Sequence, residues 1–177
     1  MYSQHQQRNI PRIESALMNL VSTFGQRHAK IFYVRIDVRF PSAFVSAKPY
    51  QEYISCFVAK MIKNLKRDGL DPYYIWVREQ ASSEHPHFHF TFLLNGNKIQ
   101  HPDKIHKLAS SLWDSTLYGE YPGAVHYCQD SWGMVRRSDS DYAEQHQQML
   151  DVMGYLAKEY TKGPVGDGVR NFGMSRL

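Results

Sequence analysis

The sequence predicts an α+β protein, helices packed on an antiparallel sheet, within a single domain spanning residues 1–177. Three observations predict it. Residues 30–41, KIFYVRIDVRFP, alternate apolar and polar side chains as a half-buried strand does. Residues 10–26 and 50–67 instead repeat their apolar side chains at helical spacing. The central elements then follow one another as strand, helix, strand, strand, helix, strand.

Taken in order, IPRIESALMNLVSTFGQ carries Ile13, Leu17, Leu20, Val21 and Phe24 on one helical stripe, with Gly25 as the expected stop. This helix forms an N-terminal extension, 1–28, to a core at 30–162. In the first strand Phe32, Val34, Ile36, Val38 and Phe40 point one way; Tyr33, Arg35, Asp37 and Arg39 point the other. YQEYISCFVAKMIKNLKR, 50–67, reads as a helix with a basic end, stopped by DGLDP. Residues 73–80 and 85–96 read as two strands joined by a short connection, a hairpin. The next helix covers 101–119 and ends at Gly119, and GAVHYCQD, 123–130, supplies a fourth strand. A last helix runs from Ser140 to Lys162, and a glycine-rich tail, 163–177, follows. This order is that of the ferredoxin-like, split β-α-β unit, an antiparallel sheet with both helices on one face. The other face is then open, or covered by something extra.

Composition narrows the class. The chain has 177 residues, 42% of them hydrophobic and 14% aromatic, which suits a globular domain and excludes a disordered one. A net charge of +4 and a pI near 9.0 favour a polyanionic partner such as nucleic acid. No run approaches the ~18–20 apolar residues that span a bilayer, so no membrane is expected. The polar start, MYSQHQQRNI, is unlike a secretory signal. Two cysteines, Cys56 in a helix and Cys128 in a strand, lack metal-type spacing and fit a reducing, cytoplasmic setting.

The segment EHPHFHFTFLLNG concentrates the chemistry. His85, His87, His89 and Thr91 share one face of the strand; Phe88, Phe90, Phe92 and Leu94 share the other. One histidine there reads as a satisfied polar side chain on a solvated face. Two on adjacent same-side positions can chelate one divalent ion. If the hairpin closes around 81–85, Glu79 comes alongside His87 and adds a carboxylate, leaving coordination positions for substrate oxygens. Asp37, on the exposed side of the first strand, is an alternative acidic ligand. His85 precedes Pro86 and ranks below His87 and His89.

On the last helix, at ~100° per residue, Met149, Val152, Met153, Leu156 and Tyr160 form an apolar stripe. Tyr155 falls outside it, with Asp151, Lys158 and Lys162. Tyr160 is therefore read as core, and Tyr155 as presented among lysines, where an ammonium can hold a phosphate or favour a phenolate. A surface tyrosine beside solubilising lysines is the ordinary alternative.

Together His87-Phe88-His89 and a later Tyr155-x-x-Lys158-Glu159 resemble the second and third motifs of the HUH endonuclease superfamily, with Glu79 where an upstream acidic ligand is often found. FYVRIDVRF stands, loosely, in the place of the first motif. WVREQ and the tail RNFGMSR further resemble the inovirus gene-two-type (YfjJ-like) proteins of filamentous phages and prophages. The resemblance covers roughly 30–175. It implies the HUH endonuclease fold and a rolling-circle replication initiator, with Mg²⁺ or Mn²⁺ held by His87, His89 and Glu79. It also implies Tyr155 as nucleophile on single-stranded origin or hairpin DNA, assisted by Lys158. Tyr33, Arg35, Arg39, Arg136, Arg137 and Lys162 are then the candidate DNA contacts, against the plain reading of a solvated surface. No helicase motif is present, so unwinding falls to a host helicase or another protein. Two rivals stand beside this: a non-cleaving DNA-binding or regulatory relative of a mobile element, and a zinc-stabilised structural protein.

Overall fold

A computed structural model describes residues 11–80, 83–157 and 169–177. The elements are α1 (Pro11–Arg27), β1 (Lys30–Arg39), α2 (Tyr50–Arg67), β2 (Tyr73–Glu79), β3 (His87–Asn95), α3 (Asp103–Leu117), β4 (Val125–His126), β5 (Trp132–Arg136), α4 (Tyr142–Gly154), a 3-10 turn (Tyr155–Ala157) and β6 (Phe172–Met174). Six strands make one antiparallel sheet in the order β4-β1-β3-β2-β6, with β5 also on β1. β3 lies between β1 and β2 and runs antiparallel to both, so β1 and β2 run parallel, split by β3.

The alternation of β1 sorts the two faces. Phe32, Val34, Ile36 and Val38 join Phe88, Phe90, Phe92 and Leu94 in a core beneath α2 and α3, which supply Phe57, Met61, Ile105 and Trp113. Trp113 donates its indole N–H to the Arg39 carbonyl at 2.9 Å, satisfying its one polar atom and tying α3 to the end of β1. The second face is not open along its whole length. Ile31, Tyr33, Ile75, Val77 and Leu93 pack under α1 and α4 against Leu17, Leu20, Phe24, Met149 and Met153. The N-terminal helix is thus part of a third layer, because its apolar stripe needs a partner as much as the sheet does. Beyond that cover the same face continues as Arg35 and Asp37 on β1 and His89 and His87 on β3.

Four local expectations change. α1 passes through Gly25 to Arg27, since the His28 amide bonds the Phe24 carbonyl and Asp71 pairs with both Arg27 and His28. The fourth strand is broken in two. Val125 faces Val38 and Trp132 faces Val34, so seven steps (125 to 132) answer four (38 to 34) and three residues are extra. Cys128 therefore sits in a bulge and not in a strand. α4 ends at Gly154 and tightens into the 3-10 turn Tyr155–Ala157 where an unbroken helix is expected; the expected end at Lys162 lies outside the described residues. Finally, the glycine-rich tail contributes β6, whose Gly173 opposes Trp76; a Cβ there would come within 2.7 Å of the indole ring.

Candidate functional site

The register builds the site. Asp37 stands opposite His89 and Arg39 opposite His87 across the β1–β3 ladder, while Glu79 stands opposite His87 across β2–β3. Closure of the hairpin does bring Glu79 alongside His87, as the sequence predicts. All five positions lie on the face left clear by α1 and α4.

His89 is the centre of the cluster and is buried, 5% exposed. Its Nδ1 lies 2.7 Å from Asp37 Oδ1, and its Nε2 lies 2.9 Å from Glu79 Oε2. The second contact is close but poorly aligned, so Nε2 is a buried nitrogen without a well-directed hydrogen bond. Arg35 completes the network. Its Nε and Nη2 donate to the two Asp37 oxygens, each at 2.9 Å, and Nη2 comes within 3.0 Å of His89 Nδ1. Burial alone would raise the Asp37 carboxyl, but hydrogen bonds from His89 and Arg35 outweigh it and hold the group far below the usual carboxylate range. Burial would likewise lower His89, yet the hydrogen bond to Asp37 and the contact with Glu79 raise it. His87, half-buried, is lowered by burial and then by the neighbouring Arg39 charge.

Tyr155 arrives from the far end of the chain. Its ring stands edge-on to His89, centroids 5.7 Å apart, and the Arg35 guanidinium lies over its face at 3.9 Å. Cys128, carried inward by the bulge, donates its thiol to Asp37 Oδ2 at 3.3 Å. Burial and the Asp37 charge push that thiol up to about 11.

The donor set can be tested against the implied divalent ion. Ligands in adjacent positions around an ion with bonds of ~2.1 Å stand about 3 Å apart, and His89 Nε2 and Glu79 Oε2 are 2.9 Å apart. A ligating histidine commonly donates its other ring N–H to a carboxylate, as Nδ1 does to Asp37. His89 Nε2 and Glu79 Oε2 thus meet the spacing of two adjacent ligands, and His87 stands beside Glu79 in register. Among the described residues, no group of three or more His, Cys, Asp or Glu side chains is gathered in ligating geometry.

Several expected site residues lie elsewhere. His85 is turned away from the site: Tyr50 meets its Nδ1 at 2.8 Å, and Phe40 and Phe44 pack around it, because the bend at Glu84 and His85 precedes the strand. Tyr33 is 4% exposed and packs over Gly133, so it offers no ring for base stacking. Arg35 is spent on Asp37 and Tyr155 and is itself buried, not a surface DNA contact. Arg136 and Arg137 are exposed but belong to the opposite end of β1, where Arg136 pairs with Lys30. Seven residue steps of strand take the chain from Lys30 to Asp37, or ~23 Å. Among the described candidates, Arg39 alone is exposed at the site. Asp37 meets His89 at Nδ1, on the opposite side of the ring from Glu79. Lys158, Lys162, Glu159 and Tyr160 lie outside the described residues. The sequence carried one unread signal: Arg35 and Asp37 share the strand face that meets His89, which already pairs a cation with the buried carboxylate.

Comparison with known proteins places the chain in a family. The YagK/YfjJ C-terminal domain family matches residues 2–175, and the chain belongs to it. It is similar to the uncharacterized protein YagK of Escherichia coli (strain K12), 24% identical over 96% of this chain and 94% of that protein. It is also similar to the uncharacterized protein YfjJ of the same organism, 26% identical over 66% of this chain and 63% of that protein. No solved structure matches. No helix among the described residues is long and apolar enough to cross a membrane.

Proposed function

We propose that this protein is a metal-dependent tyrosine endonuclease of the HUH type that nicks and rejoins single-stranded DNA. In this reading it acts as a rolling-circle replication initiator of a phage or prophage. One observation carries it: a tyrosine from the end of α4 stands against the histidine that Asp37 orients beside Glu79 on the central strand. A structural protein needs no such tyrosine there, and a passive DNA binder needs no buried carboxylate–histidine pair. The β4-β1-β3-β2 order, with β1 and β2 split by β3, supports the HUH fold as the finer description.

Tyr155 Oη attacks the scissile phosphorus. The Oη–P bond forms, the P–O3′ bond breaks, the phenol gives up its proton and the departing 3′ oxygen takes one up. The DNA is left joined through its 5′ phosphate to Tyr155, with a free 3′-OH to prime synthesis or to reverse the reaction. His89 Nε2, Glu79 and His87 are the residues that would hold Mg²⁺ or Mn²⁺, which polarises phosphate oxygens when bound. Asp37 keeps His89 in the tautomer that turns Nε2 toward Glu79. Arg39 stands where it can pair with a backbone phosphate. The motif resemblance gives Lys158, outside the described residues, the part of assisting the phenol, and a host helicase supplies unwinding.

The test is incubation with labelled single-stranded DNA of mixed sequence and Mn²⁺, then a denaturing gel. A covalent adduct, absent with chelator and in Tyr155→Phe, is expected. DNA binding with no adduct across a broad pool would assign the protein to non-cleaving, regulatory relatives instead.

A further inference from the structure

Arg35 makes two kinds of contact at once. The edge of its guanidinium is bidentate on Asp37, at 2.9 Å for both bonds, and its face lies 3.9 Å from the centroid of the Tyr155 ring. Asp37 in turn holds His89 Nδ1 at 2.7 Å. One planar cation thereby joins the tyrosine from the end of α4 to the carboxylate that orients the histidine on β3. A guanidinium can do this because it is flat and delocalised, with in-plane N–H donors and a face free to stack; an ammonium offers only one of the two. Burial makes the arrangement rigid: Arg35 is 9% and Asp37 4% exposed.

We infer that Arg35 is the positioning residue of Tyr155, setting the phenol over the histidine–carboxylate cluster through a clamp shared with Asp37. The inference rests on the nuclease reading above. It removes Arg35 from the DNA-contacting surface and gives it a role in the chemical step. Arg35 does not touch the reacting atoms in this role. It fixes where the phenol stands relative to His89, and displacements of about 1 Å from attacking geometry can cost on the order of 100-fold in rate.

Two variants test it, with Tyr155→Phe as the blank. Arg35→Lys keeps the charge opposite Asp37 but not the flat face; Arg35→Met keeps length and loses both. Rate constants for adduct formation are measured under single turnover at saturating single-stranded DNA with Mn²⁺. The dissociation constant for DNA is measured separately, and folding is checked by circular dichroism. Arg35→Lys is expected to form adduct roughly 10–100-fold more slowly while binding DNA within about twofold of wild type and staying folded. A second readout needs no activity. The Arg35 Nε–H resonance should carry a ring-current shift that disappears in Tyr155→Leu. Wild-type adduct rates in folded Arg35→Lys, or an Arg35 resonance unmoved by Tyr155→Leu, overturn the inference. So does a variant whose loss lies entirely in DNA affinity, since that is how a backbone contact behaves. Failure of the wild type itself to form an adduct overturns the nuclease reading, and this inference with it.

Discussion

Asp37 and His89 face each other across adjacent antiparallel strands with 2.7 Å between carboxylate oxygen and ring nitrogen, and both are buried. This pair orders the site. It fixes which imidazole nitrogen is turned toward Glu79, and through Arg35 it reaches Tyr155.

Asp37→Asn should weaken Mn²⁺ binding by about 10–100-fold, the usual effect of losing a carboxylate behind a ligating histidine. Titration calorimetry of wild type and variant measures it. Equal affinities would mean that His89 is not a ligand, or that its orientation is set elsewhere.

The same pair makes stability depend on pH in the metal-free protein. Asp37 is depressed below its ordinary 3.8, so its contribution is present above that value and is lost as the pH falls toward the depressed one. His89 is raised above its ordinary 6.5, so its contribution is present below 6.5 and is lost as the pH rises through the raised value. The stability difference between wild type and Asp37→Asn should therefore be largest between about pH 4 and 6.5. Urea unfolding with chelator across pH 3–9 gives the curve; a difference independent of pH contradicts the assignment.

Gly133 faces Tyr33 across β1 and β5, and a Cβ at 133 would come within 2.5 Å of the tyrosine hydroxyl. Gly133→Ala should cost about 1–3 kcal/mol by forcing that buried ring aside. With Tyr33→Leu in the same chain the two costs should fall short of additive, because the clash is then gone.

Cys128 donates to Asp37 and its thiol is pushed up to about 11. At pH 8 it should react with iodoacetamide roughly 100-fold more slowly than an unperturbed thiol, since only the thiolate attacks. Mass spectrometry of labelling against time reads this directly. Asp37→Asn should quicken Cys128 labelling, and an unchanged rate would show that the carboxylate has no part in it.

Much of the architecture was legible. The boundaries of α2 match those read from its apolar spacing, and the alternation of β1 sorts its side chains between two faces as expected. The placement of Glu79 beside His87 followed from hairpin closure alone. What was not legible depended on contacts distant in sequence. Tyr33 and Arg35 look like exposed strand positions until α1, α4 and the 3-10 turn come down over them. Local alternation can say that two residues share a face, but not what covers it.

The sequence by itself determined the α+β class, the helix and strand order and the histidine–carboxylate face, because these follow from side-chain period and short-range pairing. Only the tertiary structure decided that Asp37 orients His89, that Arg35 lies against Tyr155, and that His85, Tyr33, Arg136 and Arg137 stand away from the site. Those outcomes were set by strand register, by a three-residue bulge and by the docking of α4. Each brings together side chains that no local periodicity relates.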